Sequence, residues 1–128
     1  MAYIIELPLY ADQRGNLTVI EKIVPFDIKR VYWMYDVTQS RGGHRHKETV
    51  QALICLKGKC EVYINNGKNQ DTFTLNSPDK CLIVEAADWH TLNHFSSDAI
   101  LLVLASHYFD KEDYIHTDYT TLDTSKVT

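Results

Sequence analysis

The chain has 128 residues and a net charge of −4, which fits a single domain over 1–128 with enough chain to bury a real core. The acidic balance, with no basic stripe, argues against a nucleic-acid partner; no apolar run approaches the roughly 20 residues of a membrane helix; and Met1-Ala2-Tyr3-Ile4-Ile5-Glu6 lacks the basic-then-apolar pattern of a secretion signal. Cys55, Cys60 and Cys81 are odd in number, form no CxxC and lie in apolar runs, so they read as reduced core thiols of a cytoplasmic protein.

Residues 2–9 read as a first strand, on a sheet edge because Pro8 cannot donate a ladder hydrogen bond. Asp12-Gln13-Arg14-Gly15-Asn16 is a turn, and residues 17–24, rich in β-branched side chains, read as a strand broken by Pro25. Residues 28–37 read as another strand. Alternation there puts Arg30, Tyr32 and Met34 on one face and Val31, Trp33 and Tyr35 on the other. A cation beside a phenol suits a ligand cavity, although Arg30 fits a solvated edge equally well; the second face suits a core.

Arg41-Gly42-Gly43-His44-Arg45-His46-Lys47 follows. In an extended run His44 and His46 point to one face, while Arg41, Arg45 and Lys47 alternate with them and fall to the opposite face or the rim. Gly42 and Gly43 let the backbone turn sharply or approach a ligand closely. One histidine in a strand is ordinarily structural. Two on one face, after two glycines and within a basic rim, point to proton or metal chemistry on a small anion.

Residues 50–56 are apolar and begin at Gln51; Lys57-Gly58 is a turn. In 59–65, Cys60, Val62 and Ile64 face inward, with Glu61 and Tyr63 outward. Asn66-Gly67 marks a tight turn. Residues 72–75 and 81–84 are strands separated by the turn Ser77-Pro78-Asp79. Residues 89–95 form a strand with His90 and His94 on a shared face, and 99–105 is an apolar run buried on both faces. From Asp110 onward the tail is the one candidate for a short C-terminal helix, with Asp110 as cap and Asp113 as an imperfect capping-box partner. His107 and His116 lie outside every motif and read as surface residues, and beyond Tyr119 the composition is that of a loose terminus. About ten short strands with turns between them make an all-β sandwich or barrel.

The residues also carry a resemblance. Gly-x-His-x-His at 42–46, a polar residue at 51, a glycine at 58 and Ala87-Asp88-Trp89-His90 look like the two motifs of the cupins. Together with Asp12-x-Arg14-Gly15, Ile28-Lys29-Arg30-Val31-Tyr32, Phe95-Ser96-Ser97-Asp98 and Leu104-Ala105-Ser106, they resemble the sugar 3,4-ketoisomerases acting on dTDP-4-keto-6-deoxyglucose. The resemblance implies a cupin jelly-roll barrel (a double-stranded β-helix) and a homodimer paired through its sheets, often with an N-terminal strand crossing to the partner. It also implies metal-independent conversion of the dTDP-4-keto sugar to a 3-keto-6-deoxyhexose for surface glycans, with no cofactor. Metal-binding cupins carry a glutamate where this chain has Gln51, a poorer ligand, so at best three imidazoles remain.

In that reading a base takes the C3 hydrogen, an enediolate forms and C4 is reprotonated. Imidazoles exchange protons at neutral pH. By the resemblance His44 is the base at carbon, and His46 relays protons or polarises the sugar oxygens. Arg30, Tyr32 and Gln51 are candidates for steadying the enediolate, and Arg41, Lys47 and Arg14 for the diphosphate. Arg14 and His90 match the pattern of the galacto-forming branch. The competing expectations are a metal-dependent cupin oxygenase or isomerase, a cupin that only binds a nucleotide sugar, and a 3,5-epimerase of the same substrate.

Overall fold

The computed structural model describes residues 1–119; the loose terminus expected beyond Tyr119 lies outside them. The described residues form twelve strands: β1 Tyr3–Glu6, β2 Leu9–Asp12, β3 Gly15–Thr18, β4 Arg30–Tyr35, β5 Arg41–His46, β6 Gln51–Lys57, β7 Cys60–Asn65, β8 Gln70–Leu75, β9 Lys80–Val84, β10 Trp89–Asn93, β11 Ile100–Ala105 and β12 Tyr114–Ile115. Two antiparallel five-stranded sheets, β1-β9-β6-β11-β4 and β12-β5-β10-β7-β8, make the expected all-β jelly roll, and β2-β3 stands apart as a hairpin. No helix among the described residues is long and apolar enough to cross a membrane.

Alternation builds the interior. Leu53, Cys55, Val62, Ile64, Leu101 and Val103 meet between the sheets. The intervening positions Ala52, Ile54, Cys81 and Ile83 face a second apolar layer, covered by Ile20, Ile23, Val24 and Phe26. This second layer corrects the expected strand over 17–24. Only Gly15–Thr18 pairs; the chain beyond it, with Lys22 at φ 54, leaves strand geometry and folds its apolar side chains over the back of the first sheet.

Three further expectations change. Among the described residues the stretch after Asp110 makes a single 3-10 turn at Lys111–Asp113 rather than a helix: Asp110 does cap it, accepting from the Glu112 amide, but β12 follows at once. His94 does not share the face of His90, because its φ of 53 ends β10 and turns it to solvent beside Glu61. On β4 the expected core face is exposed, with Val31, Trp33 and Tyr35 at 50%, 58% and 62%. Alternation identifies two faces but not which one is covered.

The decisive irregularity is in β5. His44 pairs with His90, but Thr91 pairs with Gly42 and Leu92 with Arg41, so Gly43 is an extra residue in the ladder. A one-residue bulge reverses side-chain parity. Arg41 therefore shares the inward face of His44 and His46 at the exposed edge of the interior, so of its two expected places, the opposite face or the rim, it takes the rim. Gly42 (φ 84) runs so close to β10 that a Cβ would lie 2.9 Å from the His90 carbonyl oxygen. Gly42→Ala is expected to lower stability by about 1–3 kcal/mol in denaturant titration, because both the backbone conformation and the strand spacing resist it.

Candidate active site

Between the sheets opens a cavity of about 340 Å³, within the usual range for small-molecule sites. Arg30, Tyr32, Arg41, His44, Gln51 and His90 line it. Of the expected site residues it also adjoins His46, whose ring centroid is 5.1 Å from that of His44 and 6.2 Å from that of His90. Two of the expected residues are not there. Arg14 sits at the tip of the β2-β3 hairpin, its exposed guanidinium paired with Asp12 at 2.5 Å. Lys47 lines a separate groove with Glu48, Asp110 and Asp113.

His46 is buried, and its Nδ1 lies 2.8 Å from Asp113 Oδ2. Burial would raise the Asp113 carboxyl, but bonds from the Thr49 hydroxyl, the Glu48 amide and His46 outweigh that and hold it at about 2. An ionised carboxylate only accepts, so His46 Nδ1 carries the proton and Nε2 has its lone pair free. That Nε2 is buried, with no hydrogen-bond partner among the described residues. His90 is fixed in the same way: Nδ1 donates to the Asp88 carbonyl at 3.0 Å, leaving Nε2 bare.

All three imidazoles are held neutral. Burial, then the neighbouring His90, His46 and His116, pull His44 down to about 3. Burial takes His90 to about 4. Burial also lowers His46, with Asp113 working in the opposite direction. Across the floor, Gln51 Nε2 donates to the Tyr32 hydroxyl at 3.0 Å, while the Arg30 guanidinium lies 4.5 Å from the Tyr32 ring centroid. The arrangement places a proton acceptor backed by a carboxylate, fixed hydrogen-bond donors and two guanidinium groups around one small space.

His44, His46 and His90 could also hold a divalent cation: one ligand atom from each lies within 4.8 Å of the others. Two have Nε2 free, as a metal would require. Gln51 lines the same cavity, but its amide is neutral and engaged with Tyr32.

The sequence family described as FdtA: WxcM-like, C-terminal matches residues 1–126. Over 108 residues the chain is 46% identical to the TDP-4-oxo-6-deoxy-alpha-D-glucose-3,4-oxoisomerase of Aneurinibacillus thermoaerophilus, covering 81% of this chain and 78% of that protein. The chain belongs to this family of sugar 3,4-ketoisomerases. Two solved family members come from Campylobacter jejuni. The TDP-quinovose 3,4-ketoisomerase WlaRB is 40% identical, with TM-score 0.88 over 95% of this chain and 97% of that one. The TDP-fucose-3,4-ketoisomerase WlaRA is 34% identical, with TM-score 0.85 over 93% and 90%. Quinovose and fucose differ at C4, so similarity reaches ketoisomerases of both product configurations.

In this ketoisomerase two site residues lay beyond sequence reasoning. Asp113 was expected only as a capping partner and Tyr114 among eight undistinguished tyrosines. Tyr114 packs its ring centroid 4.7 Å from that of His44 and 4.6 Å from that of His46. The pairing of β12 with β5 delivers both, a contact between segments about 70 positions apart that no local pattern announces. His116 is exposed, as expected, with its ring 6.1 Å from that of His44.

The buried imidazoles give a stability prediction. Free histidine protonates near pH 6.5, whereas His44 and His90 protonate at about 3 and 4. Between those limits the unfolded chain binds more protons, so stability rises with pH there and is lost as pH falls. The urea midpoint is expected to be flat near neutrality and to decline steadily from about pH 6.5 to pH 4, by at most about 1.4 kcal/mol per pH unit for each histidine.

Proposed function

We propose that the protein converts dTDP-4-keto-6-deoxy-D-glucose to a dTDP-3-keto-6-deoxyhexose by proton transfer through an enediolate. The observation that carries this reading is the bare Nε2 of His46, backed by Asp113 on its other nitrogen. A carboxylate behind an imidazole fixes the tautomer and steadies the imidazolium formed when a proton is taken. The C3 hydrogen is assigned to His44, which lines the cavity, with His46 relaying protons between the sugar oxygens and His90 beside them. Tyr32, held by Gln51, and the cations Arg30 and Arg41 face the developing oxyanion and the diphosphate. Neither C3 deprotonation nor C4 reprotonation calls for a cofactor.

The galacto configuration is the favoured product, on the pattern of Arg14 and His90. Within one protomer those two are apart, with His90 in the cavity and Arg14 on the exposed hairpin. We assign Arg14, and the diphosphate contact expected of Lys47, to an assembled homodimer. The exposed face of Val31, Trp33 and Tyr35, and the exposed Leu9, Tyr10 and Leu17 of the hairpin, are apolar surface of the kind that pairs. Three buried free thiols support a cytoplasmic setting.

Proton NMR of the reaction in D₂O tests the activity. A 3-keto product with deuterium at C4 is expected, at a rate unaffected by EDTA. Exchange at C3 and C5 with the ketone in place would identify an epimerase, and activity lost to EDTA and restored by a divalent ion would identify a metal enzyme. For the assembly, Trp33→Asp is expected to shift a dimer to monomer in light scattering; a monomeric wild type would overturn the pairing.

A further inference from the structure

The carbonyls of three successive residues ahead of β10 hold three different groups. Ala86 accepts the His46 amide at 2.9 Å, and Asp88 accepts His90 Nδ1 at 3.0 Å. Between them, Ala87 accepts the Tyr119 hydroxyl at 2.7 Å. The face of the Tyr119 ring meets Arg45, whose guanidinium carbon lies 4.5 Å from the ring centroid. Arg45 stands between His44 and His46, and alternation turns it to the outer side of β5. The same ring packs on the turn between β7 and β8, where a Cβ at Gly67 would lie 2.9 Å from Tyr119 Cδ1.

These contacts fall where the backbone pairing gives out. The β10-β5 ladder joins Leu92 to Arg41 and Thr91 to Gly42, and its last pair is His90 with His44. Past His44, β5 has the two-residue β12 on one side and, on the other, the bond from the His46 amide to Ala86. His46 and His90, with ring centroids 6.2 Å apart, are therefore held to each other through the 86–88 turn. A displacement of about 1 Å in an active site can cost on the order of 100-fold in rate.

Resting on the isomerase reading above, we propose that Tyr119 is a positioning residue that fixes His46 against His90 from outside the cavity. Its hydroxyl holds the 86–88 turn while its ring holds Arg45, so the turn and the end of β5 move as one body. Acting through the backbone beside both histidines, it governs the rate of proton transfer. Binding through Arg30 and Arg41, which reach the cavity from β4 and the start of β5, is left in place.

Tyr119→Ala is expected to lower kcat with dTDP-4-keto-6-deoxyglucose about 10-fold while KM stays within about twofold of wild type. Tyr119→Phe keeps the ring on Arg45 and loses only the bond to Ala87, so it is expected to retain about a third of wild-type kcat or more. Amide exchange followed by NMR adds a measure that needs no turnover. In Tyr119→Ala the His46 amide should exchange about tenfold faster relative to the β6 and β11 amides than it does in wild type. Ile54→Val, a cavity in the apolar layer behind the first sheet, serves as the purely structural control; it loses stability and should change neither kcat nor that ratio. If Tyr119→Ala does not fold, Arg45→Gln removes the clasp from its other side and should give the same pair of changes. A kcat within about twofold of wild type, a loss confined to KM, or an unchanged exchange ratio overturns the clasp and leaves the isomerase reading intact. A wild-type protein that never moves the ketone overturns the isomerase reading, and the His46 exchange ratio alone then decides the clasp.

Discussion

The hydrogen bond between His46 and Asp113 ties the interior of the barrel to the last segment that closes over it. The carboxylate sits at the end of the 3-10 turn, where it also accepts from Thr49 and from the Glu48 amide. Without it, only His90, held by the Asp88 carbonyl, would have a fixed tautomer among the three imidazoles that share this poorly solvated space. With it, His46 is fixed as well, its Nε2 lone pair left free. The same anchor sets β12 against β5 and so brings Tyr114 over the cluster. The catalytic floor and its cover are therefore one structural unit.

The histidine pair was legible because period-2 alternation is a local rule, and β5 obeys it over His44 to His46. Arg41, three residues earlier, falls on the inward face rather than the opposite one, because the Gly43 bulge reverses the parity. Two adjacent glycines signal that possibility, but the register is set by β10, nearly 50 positions away. Likewise Trp33 and Tyr35 were correctly grouped and wrongly buried: an exposed apolar face looks the same in sequence as one facing a core. Asp113 and Tyr114 were invisible for a third reason. Their role depends on a long-range two-residue strand, and nothing in Lys-Glu-Asp-Tyr-Ile names its partner.

Burial has a direct chemical consequence here. Desolvation keeps His44 and His90 neutral throughout the physiological range, so the cavity presents lone pairs while its cations, Arg30 and Arg41, come from β4 and the start of β5. Strand β5 thus carries both kinds of group, a guanidinium at its start and two neutral imidazoles at its end. The folding cost of this arrangement, imidazoles withheld from protons, is offset by the apolar contacts of Leu53, Val103 and their neighbours, packed in the same interior.

Gln51 decides which chemistry the three imidazoles are suited to. Its amide donates to Tyr32 and places no charge on the floor. A glutamate at the same point would accept from Tyr32 instead and set an anion beside His44, His46 and His90. That anion would favour imidazolium in the empty site, and in the presence of a divalent cation it would complete a four-ligand cage, tying up the Nε2 lone pairs. With the neutral amide the lone pairs stay available, Tyr32 keeps its own proton to donate, and the one fixed anion, Asp113, stands behind His46. The cavity keeps the scaffold of a metal site and arranges its charges for moving protons.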